Sequence, residues 1–247
     1  MDLNISGKRA LVCASSQGLG FACALALAAE GVAVTINGRH AERLEKAADD
    51  IRRAAPGSTV FTALGDLNTP EGRAAVLAIL PDPDILVNNN GGPPPGNFRD
   101  WSREDWIRAL DANMLAPIEL ARATIDHMIA RRWGRIVNVT SLAVKSPLPP
   151  LGLSNGARAG LTGFMGGLAQ EVAPAGVTIN GLLPGPFATQ RILDMQSRLG
   201  NLLQTPVGRL GDPDELGAAC AFLCGMKAGF ITGQSIVVDG GSFNSLV

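Results

Sequence analysis

Cys13-Ala14-Ser15-Ser16-Gln17-Gly18-Leu19-Gly20, running on into Phe21-Ala22-Cys23-Ala24-Leu25-Ala26-Leu27-Ala28-Ala29-Glu30, is the stretch whose reading decides the fold. Residues 10–14 form an apolar run that reads as a buried strand, residues 21–30 read as a helix, and the glycines between them mark a tight turn. Such a turn between a first strand and a helix N-terminus aims backbone N–H groups and the helix dipole at one point. A pyrophosphate suits that place.

Outward from this unit the same alternation repeats. Further runs rich in Val and Ile occupy 33–37, 59–64, 85–89, 135–140, 178–183 and 235–238, and they read as parallel strands buried on both faces. Between them, 41–54, 70–80, 103–113, 117–132, 154–173 and 213–225 are long enough to be crossover helices. Repeated β-α-β units predict an α/β fold, one doubly wound parallel sheet of about seven strands flanked by helices. Nothing in the 247 residues breaks the composition or repeats internally, so one domain spanning 1–247 is expected. The least regular stretch, 187–206, reads as a substrate loop or lid.

Composition narrows the function classes. A formal net charge of −1 offers no basic face to a nucleic acid or an anionic membrane. The polar N-terminus Met1-Asp2-Leu3-Asn4-Ile5-Ser6 has no apolar core of a signal peptide, and no apolar run reaches spanning length, so a cytoplasmic enzyme is expected. The cysteines 13, 23, 220 and 224 fall inside strands and helices rather than at metal-site spacing, and read as small buried residues with no metal implied. In 154–173 the glycines 156, 160, 163, 166 and 167 each cost about 1 kcal/mol relative to alanine. Close packing must offset that, either against the sheet of the same chain or across a subunit interface of a homodimer or homotetramer.

The strand at 33–37 runs into Gly38-Arg39-His40 with no acidic residue to accept from a ribose 2′-OH, whereas Arg39 is able to pair with a 2′-phosphate. NADP(H) is therefore favoured over NAD(H). Ala14 places a methyl where the backbone turns, which fits a negative φ there.

The order of these motifs resembles the short-chain dehydrogenase/reductase family. Cys13, Ala14, Gly18 and Gly20 stand at the positions of its T-G-x-x-x-G-x-G turn, with Ser16, Gln17 and Leu19 between them, and Gln17 stands where NADP-preferring members often carry a basic residue. Asp66-Leu67 resembles its adenine-contacting D-[VL], and Asn88-Asn89-Asn90-Gly91 its N-N-A-G with Asn90 for the alanine. Asn113 matches a helix-embedded asparagine, and Pro184-Gly185 with Thr189 its P-G-x-x-x-T. Pro206 to Glu215 and Ile231 to Gly241 repeat its C-terminal pattern. The resemblance implies a Rossmann-type single domain. Within the family the chain looks most like bacterial 3-oxoacyl-acyl carrier protein reductases.

One departure is located by an absence: the chain contains no tyrosine. Where the family carries Y-x-x-x-K, this sequence reads Ser154-x-x-x-Arg158. The resemblance assigns carbonyl binding to Ser141 and a relay role to Asn113, and leaves Ser154 and Arg158 at the two altered positions. A phenol near pKa 10 can be tuned toward neutrality, but an aliphatic hydroxyl cannot, and a guanidinium clamps ribose hydroxyls without relaying a proton. Lys145, four residues beyond Ser141, is the substitute donor that the sequence offers, against its plainer reading as a solvated loop lysine. His127 falls in phase with polar neighbours and is left out of the site. Pro93-Pro94-Pro95 removes N–H donors from the loop after the fourth strand, so an apolar substrate pocket is expected, lined from Phe98, Trp101, Leu148, Leu151, Phe187 and Met195.

Three functions are compatible with these residues. The first is an NADP(H)-dependent carbonyl reductase or alcohol dehydrogenase with an atypical site. The second is a lyase, isomerase or hydrolase using Ser141, Ser154 and Arg158 around an oxyanion. The third is a silent cofactor-binding subunit.

Overall fold

Seven strands form one parallel sheet in the computed structural model, which describes residues 2–199 and 205–245, the side chains of 195–199 excepted. The strands are β1 (Arg9–Val12), β2 (Ala33–Gly38), β3 (Val60–Leu64), β4 (Ile85–Asn88), β5 (Gly134–Val139), β6 (Val177–Pro184) and β7 (Ser235–Val238). Their spatial order is β3-β2-β1-β4-β5-β6-β7. The helices are α1 (Gly18–Ala29), α2 (Ala41–Ala54), α3 (Pro70–Ile79), α4 (Arg103–Leu110), α5 (Ala116–Ala130), α6 (Gly152–Val172), α7 (Gln190–Leu199) and α8 (Pro213–Cys224).

The period-2 geometry of a strand sends alternate residues to opposite faces, and both faces are covered. Ala10 and Val12 of β1 meet Leu27 of α1, Leu44 of α2 and Leu216 of α8. Leu11 of the same strand joins Val76 of α3, Leu120 of α5 and Leu161 of α6 on the other side. The inner strands are therefore mostly buried on both faces, as the sequence runs implied, although they also bury polar residues such as Thr35, Asn37, Asn88, Arg135, Asn138 and Asn180. The two edge strands depart from that expectation: Phe61 and Leu64 of β3 are more than half exposed and every residue of β7 is half-buried, since each strand has a neighbour on one side only. Cys23, Cys220 and Cys224 lie buried in the α1–α8 layer as free thiols, and their mutual hydrogen bonding followed by burial raises the Cys220 pKa well above normal. Among the described residues no helix is long and apolar enough to cross a membrane.

Two local expectations change, and the open question of the α6 glycines is divided. The helix foreseen over 103–113 stops at Leu110 and the chain passes through a π turn, Asp111–Leu115, before α5. Pro117 makes this intelligible, because it has no N–H to offer a carbonyl one turn earlier. The 187–206 stretch is more ordered than its composition suggested: Phe187 is buried and bridges to Gly211, and α7 follows, while 200–204 lie outside the described residues. In α6, Gly156 and Gly160 are explained within the chain, because a β-carbon there would meet the Trp106 ring at 3.1 Å and the Met114 sulfur at 2.8 Å. Gly163, Gly166 and Gly167 face open space.

Candidate active site

β1 and β4 are neighbours, yet the chain leaves β1 toward the α1 face and β4 toward the α5 face, so a crevice opens between the two connections. It forms a cleft of about 540 Å³ along the C-terminal edge of the sheet.

The turn over β1 closes the middle of the cleft. Ala14, Ser16, Gln17, Gly18 and Leu19 line it, while Gly20 lies behind, where a β-carbon would sit 2.5 Å from the Ala14 carbonyl. Only glycine lets α1 approach the strand end so closely. Ala14 has φ +44°, correcting the expectation of a negative value. The left-handed conformation costs an alanine about 1 kcal/mol, and two asparagines enforce it. The Ala14 N–H donates to Asn37 Oδ1 at 3.0 Å, and Asn89 Nδ2 donates to the Ala14 carbonyl at 3.1 Å. Asn37 also donates to the carbonyls of Ala63 and Gly65, tying the turn to β3. Its role was hidden in sequence, where it reads only as the end of a strand. The N-cap residue of α1, Gln17, makes no side-chain cap, so nothing from the side chains competes for the first-turn N–H groups.

One end of the cleft is basic. Arg39 lies there with Asp66 and Leu67, its Nη1 3.8 Å from Asp66 Oδ2 across solvent. His40 and Arg43 share this end, and Arg43 Nη1 reaches Gln17 Oε1 at 3.5 Å. Arg43 escaped the sequence reading; its signal was its place in the first turn of the helix that begins just past Arg39.

The other end holds Arg158, while Ser154, which bonds to it, is not among the residues that line the cleft. Ser154 is 3% exposed, and its Oγ accepts a hydrogen bond from Arg158 Nη1 at 2.7 Å, one turn along α6. Arg158 Nη2 donates to the Asn90 carbonyl at 3.5 Å. Burial pushes the Arg158 guanidinium down to about 10, and repulsion from Arg191 adds to this, so it remains charged at neutral pH. Asn113 is buried within the π turn. In π register the Ala112 carbonyl would receive the N–H of residue 117, which is a proline; Asn90 Nδ2 supplies the missing donor at 2.8 Å. Asn90, seen in the sequence only as a replaced alanine, thus braces the π turn. Ser141 Oγ accepts the Ala143 N–H at 3.1 Å and starts the short turn Leu142–Val144, which leaves its own proton free to donate. That turn and the π turn both pack on α6, so the elements bearing Ser141, Asn113, Ser154 and Arg158 converge.

The remaining candidates divide between the cleft and other places. Asn89, Gly91 and Thr189 line the cleft, whereas Pro184 and Gly185 stand behind it, with Gly185 held against Asp239. Lys145 is exposed and its ammonium lies 5.7 Å from the centroid of the Phe243 ring, so the structure does not join it to the Ser154–Arg158 pair. His127 is exposed on α5.

The apolar lining expected for the substrate is corrected. Phe98 and Leu148 are at least half exposed, Phe187 belongs to the core, and Trp101 is engaged with Trp106, Gly96 and Gly152. None of these, nor Leu151, lines the cleft, and the side chain of Met195 lies outside the described residues. The reason lies in the proline loop itself. Prolines lose their N–H groups but keep their carbonyls, and the Gly92 and Pro93 carbonyls each accept a bond of 3.1 Å from Arg191.

Residues 13–242 match the enoyl-(acyl carrier protein) reductase family. The chain is 34% identical to the 3-oxoacyl-[acyl-carrier-protein] reductase FabG of Vibrio cholerae over 98% of its length and 99% of the relative's. It is 34% identical to the gluconate 5-dehydrogenase of Gluconobacter oxydans, covering 98% of the chain and 97% of that protein. The crystal structure of L-sorbose reductase from Gluconobacter frateurii, complexed with NADPH and L-sorbose, superposes with a TM-score of 0.93 at 30% identity, covering 100% of both chains.

Proposed function

The chain belongs to the short-chain dehydrogenase/reductase family of oxidoreductases, and from that premise we propose that it is an NADP(H)-dependent carbonyl reductase, or the reverse alcohol dehydrogenase, with serine and arginine in place of tyrosine and lysine. The observation that carries the proposal is the Ser154–Arg158 bond of 2.7 Å at the end of a cleft whose middle is an uncapped helix N-terminus and whose far end is basic.

The residues present fit a phosphorylated dinucleotide. The first-turn N–H groups of α1 suit its pyrophosphate, Asp66 and Leu67 its adenine, Arg39 and Arg43 its 2′-phosphate, and Asn89, Gly91, Arg158 and Thr189 the nicotinamide half. The NADPH in the sorbose reductase complex supports the same choice. When bound, the reduced nicotinamide supplies the hydride.

The rest falls to this chain. Because Arg158 occupies a lone pair of Ser154 Oγ, the serine proton is left to point at a carbonyl oxygen, with Ser141 as a second donor. As negative charge gathers on that oxygen, the guanidinium stabilises it through the serine hydroxyl in a partly desolvated site. Arg158 stays protonated throughout, so the proton that completes the alcohol would come from water, with Asn113 as the residue assigned to hold it. Ser154 is thus an orienting donor rather than a titrating acid.

Titration with NADPH and NADH, followed by turnover on a panel of 3-oxoacyl thioesters, keto sugars and oxo acids, tests this reading. NADPH binding with measurable hydride transfer is expected, reduced by roughly 10²–10³-fold in Ser154→Ala. Failure to bind either cofactor would overturn it.

A further inference from the structure

Two arginines at the reaction end of the cleft have no carboxylate. Neither Arg158 nor Arg191 enters any ion pair among the described residues; at the opposite end Arg39 faces Asp66, while Arg43 reaches only Gln17. Both guanidiniums border the same small space: a β-carbon built on Gly92 would lie 3.0 Å from Arg191 Nη1 and 3.2 Å from Arg158 Nη1. Two like charges held this close repel, and burial followed by that repulsion lowers the Arg158 pKa, so the pairing needs a reason.

Arg135 gives the contrast. It too lacks a carboxylate, but it is 3% exposed, donates to the carbonyls of Gly134, Gly176 and Gly225, and lies over the Trp133 ring. Its charge is absorbed by the fold. Arg158 and Arg191 instead open into the cleft, and each has spent only part of its five N–H donors: Arg158 on Ser154 and Asn90, Arg191 on Gly92 and Pro93. The loop they bracket, Gly91 to Gly96, holds Arg191 through carbonyls fixed by three prolines, so the second guanidinium is positioned before any ligand arrives.

We propose that Arg158 and Arg191 form an anion clamp, and that the substrate is a carbonyl compound or alcohol carrying a carboxylate, held with its reacting carbon beside Ser154. The inference rests on the oxidoreductase reading for the word substrate, but not for the clamp itself. It replaces the apolar substrate that the proline loop suggested. A phosphate of the cofactor has the same chemistry and is the competing occupant; the separate basic end at Arg39 and Arg43 and the uncapped N-terminus of α1 already provide for phosphates, which favours the substrate.

Calorimetry and thermal-shift titration with pyruvate, acetoacetate and levulinate, each beside its uncharged amide, test the clamp on the free protein and on the NADPH-saturated protein. The parent should favour at least one carboxylate over its amide by roughly ten- to a hundredfold, the range for a hydrogen bond to a charged group. Arg191→Gln should abolish that preference with NADPH affinity within twofold of the parent, and Arg191→Lys should keep part of it; Arg191 is exposed, so both should melt like the parent. Equal binding of carboxylates and amides by the parent overturns the clamp. So does an Arg191→Gln protein that keeps the preference, or one that loses NADPH affinity instead, which would assign the anion to the cofactor. Carboxylate preference without binding of NADPH or NADH would leave the clamp standing and remove the reductase reading.

Discussion

Replacing Arg39 and Arg43 by alanine, singly and together, tests how the basic end of the cleft chooses its cofactor. A guanidinium paired with a 2′-phosphate makes charge-assisted hydrogen bonds worth about 1.5–3 kcal/mol when desolvated. Arg39, however, has a side chain 63% exposed, and its ion-pair partner among the described residues, Asp66, is 3.8 Å away and itself 40% exposed. Water and salt therefore screen the pair, and about 1 kcal/mol is the appropriate figure for each arginine. That predicts roughly fivefold weaker NADPH binding for each single variant and roughly thirtyfold for the double variant, if the two act on one phosphate without strong coupling. NADH has no group for these side chains and should change less than twofold. Reduced-cofactor fluorescence titrations at two salt concentrations provide the assay, and the NADPH advantage should shrink at the higher salt. Equal losses for NADPH and NADH, or a parent that prefers NADH, would refute the reasoning and return both arginines to the status of ordinary surface residues.

Ser154→Tyr with Arg158→Lys should raise ketone reduction by roughly 10²–10⁴-fold over the parent, the gain from a positioned proton donor, while either change alone should do little because tyrosine activation needs the neighbouring lysine; a parent already at ordinary reductase rates would sink this. Ala14→Gly should raise the melting temperature slightly, by relieving a left-handed alanine at a cost of about 1 kcal/mol, as differential scanning calorimetry would register. Glu215 is held at about 2, first by its hydrogen bonds from Arg209 and then by the Asp212 N–H, against an ordinary value of 4.5. Its folded-state value is depressed, so its contribution is complete above 4.5 and is lost as pH falls toward 2; melting curves of Glu215→Gln and the parent should differ at pH 6 and converge near pH 2. The glycines 163, 166 and 167, open within the chain, predict association through α5 and α6 into a dimer or tetramer, and a clean monomer mass by light scattering at micromolar concentration would leave them without a purpose.

The sheet and the strand-turn-helix at residues 14 to 20 were legible in the sequence, because they rest on local signals: hydrophobic period and glycine at a turn. The spacing of Ser154 and Arg158 alone places them one turn apart on a helix face, and the 2.7 Å bond between them follows. What only the tertiary structure decided is everything that depends on groups distant in the chain. Ala14 is left-handed because Asn37 of β2 and Asn89, just past the end of β4, bond its N–H and carbonyl, which no propensity of alanine could reveal. The π turn needs Asn90 to reach the Ala112 carbonyl that Pro117 leaves without a donor. The cleft is cationic rather than apolar at its Arg158 end because α7 folds Arg191 back onto the carbonyls of a proline loop 98 residues earlier. Local free energies of a few tenths to one kcal/mol write secondary structure into sequence, but charge and hydrogen-bond complementarity in a cleft is a property of distances that exist only once the chain has closed on itself.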